Sequence, residues 1–165
     1  MNKLTTPEFL KGLAFLSAAT DDEVRQLAVA ARVEHFPAGA VVFREGEHLR
    51  HICIVVDGNV AIEITGPDRR ARRIHTVGAG ELLGWSPVLG QTAMTATARA
   101  LTEVHAVAID AAQIQAICET DSKFGYAFMR RVANALAARL NATRLQMLDV
   151  FGTEIPAIAS EGVDS

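Results

Sequence analysis

Leu83-Gly84-Trp85-Ser86-Pro87, a short loop, and then Met94-Thr95-Ala96-Thr97-Ala98-Arg99-Ala100 form the stretch on which the reading of this chain turns. A glycine turn followed by a run of small and β-branched residues lies in the middle of a long β-rich region. On both sides lie short runs punctuated by Gly and Pro, at 33–36, 41–43, 52–56, 60–64, 73–77, 95–101 and 104–109. Many short strands with turn residues between them predict a jelly roll or barrel over residues 33–110. Asp57-Gly58-Asn59 reads as a tight hairpin, because glycine takes positive φ without steric cost. Gly66-Pro67-Asp68 begins a second turn and leads into Arg69-Arg70-Ala71-Arg72-Arg73 at an expected hairpin tip. Such a run is more often a solvated end than a nucleic-acid patch.

Helices flank the roll. Phe9, Leu13 and Leu16 are at helical spacing, and Thr20 with Glu23 makes a capping box ahead of Val24, Leu27 and Ala31. Residues 1–32 are therefore expected to form a helical hairpin. After Asp110 the pattern returns to helix, first over 111–120 and then over about 122–151. A helix of about 30 residues spans about 45 Å, more than a roll of this size covers. Its stripe of Phe128, Met129, Val132, Leu136, Leu140 and Met147 is expected to pair with a second copy, giving a homodimer. The tail, 152–165, with Pro156, small residues and acids, reads as unstructured.

With 165 residues, half of them apolar, and a net charge of −3, the chain suits one domain and lacks the basic footprint of direct nucleic-acid binding. Cys53 and Cys118 lie in apolar runs and read as buried free thiols of a reducing, cytoplasmic protein. No signal peptide or membrane span is expected. No Gly-x-Ser-x-Gly elbow, Walker loop or Gly-x-Gly-x-x-Gly turn occurs, so the chain is not expected to be an enzyme. The five histidines, His35, His48, His51, His75 and His105, include no His-x-His pair. His48 and His51 would point to opposite faces of a strand. A cupin-like metalloenzyme is therefore disfavoured, and no metal is expected.

The layout as a whole, over about residues 10 to 150, resembles the effector domain of the catabolite activator protein (Crp/Fnr-type) family. Gly46, the run 52–55 and Gly58 follow the family's glycine spacing. Gly80-Glu81-Leu82-Leu83-Gly84 through Thr95-Ala96, with Ala98 and Ala100, resembles its phosphate-binding cassette. Arg139-Leu140-Asn141-Ala142-Thr143 resembles the Arg-Leu-x-x-Thr run whose Thr touches the purine and whose Arg braces the ribose-binding Glu. The resemblance implies a cyclic-nucleotide-binding β-roll with a ligand pocket formed by Leu83, Gly84, Trp85, Ser86, Met94, Thr95, Ala96, Arg139 and Thr143. It also implies a sensory half without the DNA-binding half, acting alone, as a dimerising partner or as an inhibitor in mixed dimers.

Two positions depart from that pattern. Trp85 stands where the family has Glu, and Met94 where it has Arg. A cyclic phosphate is a monoanion, and burying it without a cation costs several kcal/mol. An arginine fork answers this with charge-assisted hydrogen bonds worth about 1.5 to 3 kcal/mol each. Met94 supplies neither charge nor donor, and the Trp85 indole cannot accept from a ribose hydroxyl. What remains are the Gly84 turn, the hydroxyls of Ser86 and Thr95, the Ala96 amide and Thr143. The expectation is altered or lost cAMP binding, with no cofactor. Either the pocket takes a less anionic small-molecule effector, or its own side chains fill it and the chain is a ligand-free interaction module. Genuine cyclic-nucleotide binding ranks below both. If Arg139 reaches the cassette, it meets an indole in place of its Glu, and a cation-π contact of about 0.5 to 2 kcal/mol would join helix to roll.

Overall fold

The computed structural model describes residues 2–91 and 93–154. Two four-stranded antiparallel sheets face each other. The strands are β1 Ala31–Phe36, β2 Val41–Phe43, β3 His51–Asp57, β4 Val60–Thr65, β5 Ala71–Val77, β6 Leu82–Leu83, β7 Thr97–Ala100 and β8 Val104–Asp110. One sheet runs β1-β8-β3-β6 and the other β2-β7-β4-β5. The period-2 alternation of side chains explains how one strand serves two cores. In β3, Cys53 and Val55 point between the sheets, while Ile52 and Ile54 point outward under the helices. In β8, Ala106 and Ala108 point inward, and Val107 and Ile109 outward. Along β3 and most of β8 both faces are thus buried, which is why these two strands read as continuous apolar runs.

The helices pack on that outer face. They are α1 Pro7–Lys11, α2 Asp21–Val29, α3 Ala111–Thr120 and α4 Ser122–Phe151. The expected N-terminal helical hairpin is shorter than its sequence suggests: α1 ends at Gly12, and Leu13 and Leu16 reach the core through a separate 3-10 turn at Ala14–Leu16. The capping box is present, with the Glu23 amide donating to Thr20 Oγ1 at 3.2 Å and the Thr20 amide to Glu23 at 2.8 Å. The same Glu23 accepts from Arg131 of α4 at 2.6 Å, so the cap carboxylate also anchors the long helix. Phe124, Phe128 and Val132 drive the first half of α4 into the core beside Leu10, Leu16 and Ile114.

Asp57-Gly58-Asn59 is not a hairpin. It carries the chain from one sheet to the other, since β3 and β4 belong to different sheets. Gly58 has φ +88°, and a Cβ there would lie 2.2 Å from the Glu103 carbonyl oxygen, so the corner needs glycine. The hairpin is the one between β4 and β5. Arg69 at its tip takes φ 61°, and Arg72 pairs with Asp68 at 2.6 Å. The strand expected at 95–101 starts later, at Thr97, because Thr95 and Ala96 bend to line the cassette. Of the tail expected to be unstructured, Gly152–Glu154 form a turn closed by the Glu154 amide on the Phe151 carbonyl at 2.8 Å; residues 155–165 lie outside the described residues.

Candidate functional site

The cassette forms where β6 ends. Gly84 turns with φ +71°, Trp85 follows, and Ser86 opens a 3-10 turn over Ser86–Leu89. Across the gap, the bent segment leading to β7 brings Met94, Thr95 and Ala96 against this turn. The structure therefore joins seven of the nine residues expected in the pocket: Leu83, Gly84, Trp85, Ser86, Met94, Thr95 and Ala96 line one cavity, together with Phe43 and Ile62. Its volume is about 30 Å³, the space of about one water in the liquid. Met94 is only 7% exposed. Its methyl lies 3.9 Å from where a Gly84 Cβ would sit, and Phe43 closes the same spot at 3.4 Å. Met94 is also held by its backbone, donating to Glu47 at 2.9 Å and accepting from Gly46 at 2.7 Å.

Arg139 and Thr143 do not reach this cavity. The Thr143 hydroxyl turns back and donates to the Arg139 carbonyl at 2.9 Å, on an exposed stretch of α4. Arg139 lies against the Trp85 ring, its guanidinium carbon 4.6 Å from the ring centroid, and its Nη2 donates to the Leu82 carbonyl at 2.8 Å. The helix-to-roll contact expected from sequence is present. Burial lowers the Arg139 pKa, with the Glu81 charge acting the other way. Its Nη1 is enclosed and has no hydrogen-bond partner among the described residues.

Beyond Arg139 a groove of about 400 Å³ runs between α4 and the roll, lined among others by Phe15, His75, Glu81, Arg131 and Asn134. Burial, and then the Arg139 charge, lower the His75 pKa, favouring its neutral form. The larger hollow is not the seven-residue cassette cavity; of the residues expected in the pocket it takes Arg139, and Gly80, Glu81, Leu82 and Ala142 of the two motifs that carry the resemblance also line it. It exists because α4 leans on the roll at Trp85 and on Glu23 at Arg131, with small residues, Ala135, Ala138 and Ala142, facing the space between.

The expected dimer stripe divides into two parts. Phe128 and Val132 are 0% and 2% exposed in the chain's own core, and Leu136 packs partly against it. Phe128 and Val132 are committed within the chain, which corrects their assignment to an interchain seam, while Leu136 keeps part of its surface free: the first half of α4 lies over the roll, where its apolar face is largely covered. Met129, Leu140 and Met147 are exposed, as are Leu145, Leu148 and Phe151 farther along. Cys53 is buried and its thiol is pushed up to about 12 by burial, whereas Cys118, also expected buried, is only partly so.

A β-roll with a glycine turn and a Thr-Ala bend sharing one pocket, and a long helix reaching back to that turn, defines a cyclic-nucleotide-binding type of fold. The chain belongs to the cyclic nucleotide-binding domain family, which it matches over residues 33–121, more than half its length. It is similar to the HTH-type transcriptional regulator Cmr of Mycobacterium tuberculosis, 27% identical over 136 residues that make up 82% of this chain and 54% of that protein. It is also similar to the CRP-like cAMP-activated global transcriptional regulator of the same organism, 28% identical over 121 residues, 73% of this chain and 52% of that protein. The chain thus spans about half the length of these relatives. A solved cyclic nucleotide-binding protein of Geobacter metallireducens superposes with a TM-score of 0.73 at 27% identity, covering 82% of this chain and 98% of that one. No helix among the described residues is long and apolar enough to cross a membrane.

Proposed function

We propose that this chain is a regulatory module of the Crp-like type in which cAMP binding at the cassette is lost. The single observation that carries this reading is the cassette cavity of about 30 Å³, closed by Met94, Trp85 and Phe43. A nucleotide needs several hundred cubic ångströms and a cation for its phosphate. Arg99, the nearest arginine in sequence, is held by Glu63 at 3.3 Å. The same volume weighs against an altered effector in the cassette itself.

In this reading Arg139 on Trp85 holds α4 to the roll without a ligand, and the exposed part of α4, with Met129, Leu140 and Met147, pairs two copies. Catalysis forms no part of it. Direct DNA contact through 69–73 does not either, since the chain carries a net charge of −3 and Arg72 of that run is paired with Asp68. The free Cys53 and Cys118 fit a reducing compartment. Trp85 is the one tryptophan of the chain, so its fluorescence reports on the cassette directly. Titration with cAMP or cGMP is expected to leave that fluorescence unchanged; a saturable change would contradict the reading.

A further inference from the structure

His35, His105 and Asp57 form a row across three neighbouring strands. The register sets His35 of β1 opposite His105 of β8, and His105 opposite Asp57 of β3. Directly opposed side chains in an antiparallel pair interact, and the two imidazole centroids lie 4.8 Å apart. Glu103 precedes His105 by two residues and so shares its face; its carboxylate lies 2.7 Å from His35 Nε2. On the other side, a β-bulge between Val55 and Asp57 aims the Asp57 carboxylate at His105, 2.9 Å from Nδ1. One nitrogen of each ring and one Glu103 oxygen all lie within 4.8 Å of one another.

We propose that His35, His105 and Glu103 bind a divalent transition-metal ion of the zinc type on this open sheet face, with Asp57 orienting His105. The donor set is two neutral imidazoles and a carboxylate, which suits such an ion and leaves a fourth position for water. Asp57 accepts a hydrogen bond from His105 Nδ1–H, favouring the tautomer that presents Nε2 to a metal; a carboxylate behind a ligating histidine is the usual second partner. Tetrahedral zinc with bonds of about 2.1 Å holds its ligands about 3.4 Å apart. The widest separation therefore closes by little more than an ångström on binding, while the Glu103–His35 pair, now at 2.7 Å, opens to about 3.4 Å. The ion would tie the edge strand β1 to β8.

A second cluster, Glu34, His51 and Cys53, lacks these properties. The Arg32 guanidinium already lies 2.8 Å from Glu34 and 3.1 Å from His51 Nδ1, and burial pushes the Cys53 thiol up to about 12. A cation is in place there and the thiolate is disfavoured. The sequence expectation of no metal rested on the lack of a His-x-His pair and on His48 and His51 facing opposite ways; His35 and His105 meet only through strand register.

The test is calorimetric titration of the full chain with zinc chloride, with cobalt(II) absorption as the spectroscopic readout. One ion per chain is expected, with the cobalt bands of a four-coordinate site and a raised thermal midpoint. H35A and H105A should each weaken binding by about 100-fold, and D57N by about 10-fold, while H75A leaves it unchanged. All four side chains are at least partly exposed, and circular dichroism checks that each variant keeps its fold. No binding by the wild type at about 1 mM zinc, or binding by the H35A/H105A double variant as tight as wild type, would overturn the proposal.

Discussion

The Arg139 guanidinium lies 4.6 Å from the centre of the Trp85 ring while donating to the Leu82 carbonyl at 2.8 Å. One side chain of α4 thus grips two consecutive parts of the roll, β6 and the turn after it. The family resemblance of the sequence implies a ribose-binding glutamate at the Trp85 position, braced by the arginine. Here the arginine keeps a partner that needs no ligand.

That contact is worth about 0.5 to 2 kcal/mol as a cation-π pair. A double-mutant cycle of Trp85→Leu and Arg139→Met, read by urea unfolding, should return a coupling energy in this range. Strict additivity of the two single changes would show that the contact contributes nothing.

Exposure along α4 separates folding from association. Leu140, 51% exposed, is expected to pair with a second copy, so Leu140→Asp should give monomers on a sizing column at little cost in stability. Phe128→Ala, at a fully buried site, should instead lower stability by about 3 to 5 kcal/mol. An unchanged elution volume for Leu140→Asp would count against the seam.

Glu23 caps α2 and holds Arg131 of α4 in a largely buried pair. Glu23→Ala removes both and leaves a buried guanidinium with only the Ala18 carbonyl, at 3.2 Å, and an Nη1 that lacks a partner among the described residues. A loss of about 3 to 5 kcal/mol is expected in thermal or urea unfolding. A loss below about 1 kcal/mol, the scale of a cap alone, would mean that the ion pair is idle.

Cys53 sets an alkaline limit. Its thiol pKa is raised to about 12 in the folded chain from an ordinary value of 9.0. The folded state therefore favours the protonated thiol. Its contribution is complete below about pH 9 and is lost as the pH rises toward about 12. Unfolding free energy should fall over that window, and Cys53→Ala should flatten the fall relative to wild type. The same burial predicts that a thiol reagent at neutral pH modifies Cys118 first.

Much of this was legible in the sequence because local signals and packing agree. The Thr20-Glu23 box, the bounds of α3 and α4 and most strands follow from periodicity and caps. Seven cassette residues could be named because the two short stretches that hold them resemble the family's cassette. What was missed depends on long-range pairing. Asp57-Gly58-Asn59 carries the signal of a hairpin, yet the φ it requires serves equally for a corner between sheets. Phe128 and Met129 are adjacent and both apolar, and only the placement of α4 over the roll decides which is buried. β6, two residues long, has no periodicity to read. His35 and His105 are joined by register alone.

The central claim is that a cassette closed by Met94 and Trp85 does not hold a cyclic nucleotide. Calorimetric titration of the wild-type chain with cAMP tests it most directly. The expected result is no saturable heat up to about 1 mM ligand, with binding emerging in the Trp85→Glu/Met94→Arg variant, which restores both family side chains. Binding by the wild type with a micromolar Kd would contradict the claim.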